Sequence, residues 1–134
     1  MQITRQTEYA IRTILELARS ETGELLSTRV ISERQDIPED FLKKTIQLLN
    51  YAGLVSTQRG VQGGVRLAKD PHEITLVDII TAIEGPIAIN VCLAPDFQCP
   101  NRETCVISPL LARAQHAFLQ ELRKETLADL AAKG

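Results

Sequence analysis

The sequence predicts a mainly α-helical fold that carries one small β-hairpin and, later in the chain, a long helix. Apolar residues recur at helical spacing over most of the chain. One glycine-rich turn separates two short runs of strand-forming residues, which is the pattern of a hairpin. A later stretch carries an apolar stripe at alternating three- and four-residue steps, the spacing of helices that pair along a seam. A chain of 134 residues can therefore form a small domain and an arm that a second copy covers.

The first two helices are predicted at residues 6–19 and 28–35. The first has a continuous apolar face, and the break that contains Gly23 ends it. The second begins at a Ser27 or Thr28 cap and turns Val30 and Ile31 towards the core. The inward residues of the first helix are Ala10, Ile11, Ile14, Leu15, Leu17 and Ala18.

A third helix is predicted over residues 38–52. Pro38 suits its first position, and the acidic pair that follows suits the positive end of the helix dipole. Gly53 ends the helix. The expected inward residues are Phe41, Leu42, Ile46, Leu49 and Ala52, and the expected outward residues are Lys43, Lys44, Gln47 and Asn50.

A hairpin follows the third helix. Residues 54–58 and 65–68 are rich in strand formers, and the turn at residues 59–64 holds three glycines. Two helices joined by a short turn and followed by such a hairpin form a winged helix-turn-helix. We assign residues 1–70 to this DNA-binding domain, with the third helix as the reader and the hairpin as the wing.

Residues 71–134 are predicted to form a sensor loop and dimerisation helices. A capping box from Thr75 to Asp78 opens a helix that Gly85 ends. Residues 87–107 hold the cysteines and two prolines, and are therefore assigned to a loop. Ser108 starts the long dimerisation helix, and a second capping box at residues 126–129 opens a short helix. The apolar stripe of the long helix is Leu111, Ala114, Phe118 and Leu122.

Composition and charge narrow the classes of function. The chain is 44% hydrophobic, lacks the run of roughly 18 apolar residues that a membrane span needs, and starts without a secretion signal, so we expect a cytoplasmic protein. The net charge is −2, yet residues 1–69 hold ten Lys/Arg against eight Asp/Glu. Residues 41–69 hold five basic residues and no acidic one, which is typical of a face that contacts phosphates.

The predicted DNA contacts lie on the third helix, on the wing and at the start of the second helix. A helix in the major groove can present lysines and amides to base edges and phosphates, while wing arginines reach the neighbouring groove. The alternatives are solvated surface charges and, for the glycines, the ordinary chemistry of a tight turn. The residues are Thr28, Lys43, Lys44, Gln47, Arg59, Gly63, Gly64 and Arg66.

All three cysteines fall inside the predicted loop, as Cys92-x6-Cys99-x5-Cys105. In a cytoplasmic protein this clustering favours a metal or cluster site over disulfides. Structural zinc sites usually show close CxxC pairs, which are missing here, and three reduced bystander thiols are the remaining alternative. A fourth ligand is normally needed, and His116 is expected at the surface or an interface instead. No nucleophile or acid-base arrangement is visible, so the sequence predicts no enzyme.

The chain resembles the family of winged-helix iron-sulfur regulators typified by IscR, NsrR and RirA. The resemblance covers nearly the whole chain, and its most specific parts are the Arg-Gly-x-x-Gly-Gly wing and the cysteine trio. The matching segments are Met1–Thr4 with Glu8–Ala10, Ile31–Arg34, Gly53–Val55, Arg59–Gly64, Ile79–Glu84, the cysteine loop and Thr126–Leu130.

The resemblance implies a homodimer that binds a pseudo-palindromic operator in double-stranded DNA. It implies that Cys92, Cys99 and Cys105 are cluster ligands, and it places Glu8 where some members supply a carboxylate from the other subunit. The first cysteine spacing is one residue longer than is common, and Ser108 stands where IscR-type proteins have a ligating histidine. These departures favour a carboxylate-completed 4Fe-4S cluster over a histidine-bound 2Fe-2S cluster.

The leading hypothesis is therefore a transcriptional regulator whose operator binding is controlled by an iron-sulfur cluster. The cluster would sense redox state, nitric oxide, or iron and cluster status. The alternative is a winged-helix interaction module or regulator whose cysteines bind zinc or are directly redox-active, with no cluster.

Overall fold

Three helices and a hairpin form the amino-terminal part of the computed structural model, which describes residues 2–21, 23–101 and 103–134. Met1, one of the residues that carry the resemblance, lies outside the described residues. The elements are α1 (Arg5–Arg19), α2 (Thr28–Gln35), α3 (Glu39–Tyr51), β1 (Val55–Gln58) and β2 (Gly64–Leu67). This order confirms the predicted winged helix-turn-helix, with bounds within a residue of those expected.

Side-chain caps and one sharp turn define the helix-turn-helix. Thr4 caps α1 by accepting a hydrogen bond from the Thr7 N–H, and Ser27 caps α2 in the same way. Asp36 ends α2 in the left-handed conformation, with φ 53°, so the chain reverses within a few residues and α3 can cross α2.

Three details predicted for the third helix are wrong. Pro38 is the N-cap of α3 and lies outside the helix, with ψ 131°. Phe41 is 54% exposed because its ring packs edge-on against Tyr9 at the rim of the core, with centroids 6.3 Å apart. Ala52 is exposed as well, since α3 ends at Tyr51.

The later part of the chain adds α4 (Leu76–Glu84), α5 (Ser108–Arg123) and α6 (Leu127–Ala131), with single 3-10 turns at Pro71–Glu73 and Val91–Leu93. Both predicted capping boxes form at the starts of α4 and α6. The α5 helix packs against α4, and none of its described residues is buried. Among the described residues, no helix is both long and apolar enough to cross a membrane.

One apolar core joins these elements and positions both candidate sites. The short α6 folds back onto α1, and the Leu127 N–H donates to the Ile74 carbonyl at 2.8 Å. Fully buried members of the core include Ile14, Ile31, Leu42, Leu49, Ile74, Ile79 and Leu127. The core therefore takes side chains from residues 1–70 and from residues 71–134.

Candidate functional site

A groove of about 500 Å³ lies between the start of α2, the outer face of α3 and the wing. Of the eight predicted DNA contacts, Lys44 on α3 and Arg66 on β2 are exposed but do not line this groove. Contact with DNA stays a prediction for all eight residues. Six of the predicted DNA contacts line the groove, namely Thr28, Lys43, Gln47, Arg59, Gly63 and Gly64.

Backbone contacts hold the wing against the segment that leads into α2. Leu26 and Val65 exchange two backbone hydrogen bonds, of 2.9 and 2.8 Å, and so form a one-residue bridge beside the hairpin. A Cβ atom on Gly64 would lie 2.5 Å from the Leu26 oxygen, and a Cβ on Gly63 would lie 2.0 Å from the Gln58 oxygen. Glycine is needed at both positions because backbone occupies the space of a side chain.

The basic side chains of the groove and wing differ in their ion pairing from other arginines of the domain. Arg12, Arg29 and Arg34 each pair with a glutamate on α1 or α2. Within the described ranges, none of the four basic residues predicted to contact DNA forms such a pair, and all four are exposed. Their charges are thus available to phosphates. The four are Lys43, Lys44, Arg59 and Arg66.

The three cysteines surround one cavity of about 420 Å³ at the start of α5. Each is half-buried and carries a free thiol. In the part of the chain that the structure describes, no group of three His, Cys, Asp or Glu side chains is close enough to hold a single metal ion. The three thiols thus line one space without forming such a group. The remaining lining residues are Leu93, Ala94, Pro95, Phe97, Ser108, Pro109 and Ala112.

Two of the cysteine sulfurs accept hydrogen bonds. The Ser108 N–H donates to Cys105 Sγ at 3.4 Å, and Ser108 Oγ donates to Cys92 Sγ at 3.7 Å. Asn90 Nδ2 donates to Cys92 Sγ at 3.4 Å. Residues at the two ends of the cysteine loop are therefore joined through the first residue of α5.

Glu8 and His116 both lie away from this cavity within one chain. Glu8, on the first turn of α1, is held by Arg12 Nη2 at 2.6 Å and does not line the cavity. His116 is exposed on α5 and does not line it either. The structure of the single chain therefore brings the three cysteines together without the predicted fourth ligand.

Glu84 connects the end of α4, next to the cysteine loop, with the first turn of α1. Thr4 Oγ1 and Thr7 Oγ1 each donate to Glu84 Oε2 at 2.5 Å. These hydrogen bonds, from Thr4 first and then Thr7, hold the pKa of the Glu84 carboxyl below its usual value. Because Glu8 directly follows the buried Thr7, the contact ties α4 to the segment that carries the proposed carboxylate ligand.

Sequence reasoning missed the roles of Asn90, Ser108 and Glu84 in these hydrogen bonds. The sequence predicts Ser108 as the cap of the long helix, whereas the N-cap is Ile107 and Ser108 is the first helical residue. The sequence predicts no role for Asn90. An Asn lies two residues before one cysteine, and a Ser lies three residues after another. Side chains at such short spacings often form local hydrogen bonds, so these positions could have suggested the two donors. The Glu84 contact joins residues that are 80 positions apart, and nothing in the local pattern indicates it.

The groove and wing have the architecture of DNA-binding winged helix-turn-helix regulators. Residues 3–133 match the Rrf2 family, described as an iron-dependent transcriptional regulator, and the chain belongs to this family. It is 35% identical over 136 residues to the HTH-type transcriptional regulator NsrR of Bacillus subtilis (strain 168), covering 97% of this chain and 90% of the relative.

Two solved structures extend the comparison. CymR, the global cysteine regulator of B. subtilis, superposes with a TM-score of 0.79 at 32% identity, covering 100% of this chain and 98% of that one. IscR of T. potens superposes with a TM-score of 0.74 at 30% identity, covering 97% and 85%. The family confirms the predicted fold, and it confirms a DNA-binding transcriptional regulator and not an enzyme.

Proposed function

We propose that Cys92, Cys99 and Cys105 hold an iron-sulfur cluster, with four irons, whose state controls operator binding. The observation that carries this proposal is that three free thiols line one cavity of about 420 Å³. Thiolates arranged around a space suit a polynuclear group, whose ligands bind different irons. The family's description as iron-dependent supports the same assignment. When bound, such a cluster supplies a group that responds to oxidation, nitric oxide and iron supply.

The fourth ligand in this proposal is Glu8 of the opposite subunit. Glu8 does not line the cavity of its own chain, and its side chain is 46% exposed, so a second copy can reach it. A carboxylate is a hard oxygen donor that binds iron less firmly than a thiolate does, which leaves that iron open to small ligands. The α5 helices pair in this homodimer, since none of their described residues is buried within one chain.

The Glu84 contact provides the connection between the cysteine loop and DNA. A change in the loop moves the end of α4, and the hydrogen bonds of Glu84 to Thr4 and Thr7 pass that movement to α1. The α1 helix packs against α3, which lines the groove. The spacing of the two reading helices across a pseudo-palindromic operator then depends on the state of the loop.

Anaerobic purification with iron and sulfide analysis tests the proposal. We expect a coloured protein with about four irons per chain and an operator affinity that changes when the cluster is removed. Glu8→Ala should keep iron on the three cysteines, yet lose the cluster faster in air and show altered spectra. His116→Ala is the matched control and should behave like the unchanged protein.

Two outcomes would contradict parts of this proposal. A colourless protein that contains stoichiometric zinc, or no metal and reversibly oxidised thiols, would replace the cluster with the alternative chemistry. Loss of the cluster in His116→Ala but not in Glu8→Ala would move the fourth ligand from α1 to α5.

A further inference from the structure

Two of the three sulfurs that line the cysteine cavity accept hydrogen bonds. Cys92 Sγ accepts hydrogen bonds from Asn90 Nδ2 at 3.4 Å and from Ser108 Oγ at 3.7 Å, and Cys105 Sγ accepts one from the Ser108 N–H at 3.4 Å. A single residue thus donates to two sulfurs through its backbone and its side chain at once. Ser108 is half-buried, so its hydrogen bonds to sulfur are partly shielded from competing water.

The cavity also has apolar lining residues. They include Leu93, Ala94, Pro95 and Phe97. Cys99 Sγ accepts no hydrogen bond from the residues that the structure describes. The three thiols, although close in sequence, therefore have different surroundings.

Hydrogen bonds to sulfur favour the more negative state of a cluster, because a donor dipole stabilises added charge on the thiolate. We propose that Ser108 and Asn90 are positioning residues that donate to the cluster thiolates, and that they raise the reduction potential and make Cys92 the ligand that accepts the most hydrogen bonds. Ser108 is then not a cluster ligand. This inference rests on the proposed function, since it concerns the cluster that the three cysteines hold.

The same hydrogen bonds join the cluster to α5. Ser108 is the first residue of that helix, and the Ile89 N–H donates to Gln115 Oε1 on its third turn at 2.9 Å. The start of the cysteine loop is held at two places on one helix. Without the hydrogen bonds to Cys92, the loop would therefore be looser against α5, and the electronic environment of the sulfur would change as well.

Redox titration of the anaerobically purified dimer tests this inference. Ser108→Ala removes the donor to Cys92 but keeps the backbone donor to Cys105, and Asn90→Ala removes the other donor to Cys92. We expect each variant to bind the same iron, to show a more negative midpoint potential, with the oxidation equilibrium shifted roughly fivefold, and to lose colour faster in air. Ser108→Thr keeps a hydroxyl and should restore the original potential.

The exposed loop variant Gln98→Ala is the matched control and should leave the potential unchanged. Unchanged potentials in both Ser108→Ala and Asn90→Ala would overturn the inference. Loss of iron in Ser108→Ala would also overturn it, because the serine would then be a ligand. A colourless parent protein would overturn the proposed function itself, and this inference with it. If the parent protein is coloured, the variants test this inference separately from the proposed function.

Discussion

Lys43 on α3 and Arg59 in the wing line the same groove, and this arrangement can be tested by removing their charges. We expect Arg59→Ala, and the double change of Lys43 and Lys44 to Ala, to weaken operator binding without unfolding the dimer. The slope of log K against log salt concentration should fall by about one for each phosphate that the variant no longer neutralises. Fluorescence anisotropy at several salt concentrations measures both quantities. Arg29→Ala, whose side chain is paired with Glu33, should change the slope less.

Glu84 predicts a pH dependence of stability. Its pKa is held below the ordinary value of 4.5 by Thr4 and Thr7, so the ionised form favours the folded state. The stabilisation is complete above that ordinary value and is lost as the pH falls through the lowered pKa. Glu84→Gln should lower the Tm at neutral pH, and its Tm should fall less on acidification than that of the parent.

Thermal melts followed by circular dichroism between about pH 3 and pH 7 check this expectation. The exposed Glu73→Gln is the control and should melt like the parent at every pH. A Tm deficit of Glu84→Gln that stays constant over the whole range would mean that its ionisation does not stabilise the fold.

Single residues were predictable where one local pattern was enough. The cysteine spacing placed three thiols in one loop, and the structure places them around one cavity. The spacing of Asn90 and Ser108 from the cysteines suggests donors to those thiols, but it does not establish the hydrogen bonds, because a hydrogen bond also depends on side-chain direction. Phe41 fits an apolar helix face by position, yet its neighbour Tyr9 keeps it at the rim of the core.

Whole elements were more predictable than single contacts, because caps mark the starts of several helices and periodicity marks their inner faces. The capping boxes at Thr75 and Thr126 are examples that the structure confirms. The bridge between Leu26 and Val65 was missed because one residue pair leaves no periodic signal. It nevertheless joins the wing to the segment that leads into α2.

Gly63 provides a test of the wing as an element. In Gly63→Ala the new Cβ would lie 2.0 Å from the backbone oxygen of Gln58, so the hairpin has to shift. We expect the dimer to stay folded and the operator affinity to fall by about tenfold or more, because each base contact is worth about 1–3 kcal/mol. Gln62→Ala, exposed in the same turn, should cost much less. Equal affinities for the two variants would show that the wing shape does not matter for binding.

At the scale of the whole molecule, pairing of two chains is the clearest expectation. Phe118 is 37% exposed on a helix without buried residues in its described part. Phe118→Asp should place a charge in the paired surface and yield monomers of half the dimer mass that bind the operator poorly. Light scattering measures the mass. Gln120→Asp, on the opposite side of α5, should stay dimeric, and a dimeric Phe118→Asp would place the pairing surface elsewhere.

The packing of the last helix, α6, on the amino-terminal core was the least predictable feature. Periodicity identified α6 and its cap, but no local pattern indicates that Leu127 is fully buried in the core shared with α1 and α3. Such a contact depends on how distant elements pack, which a single sequence does not encode locally.

The burial of Leu127 also has a consequence for synthesis on the ribosome. Domains generally fold as their residues emerge, and an amino-terminal reader would ordinarily be complete early. Here the core beside Ile74 stays open until residues 127–131 have been made and released, because Leu127 fills it and donates its N–H to the Ile74 carbonyl. A nascent chain therefore carries α3 and the wing before the core beside α1 is complete. Incomplete translation products that lack α6 should be poor competitors for the operator and good substrates for proteases.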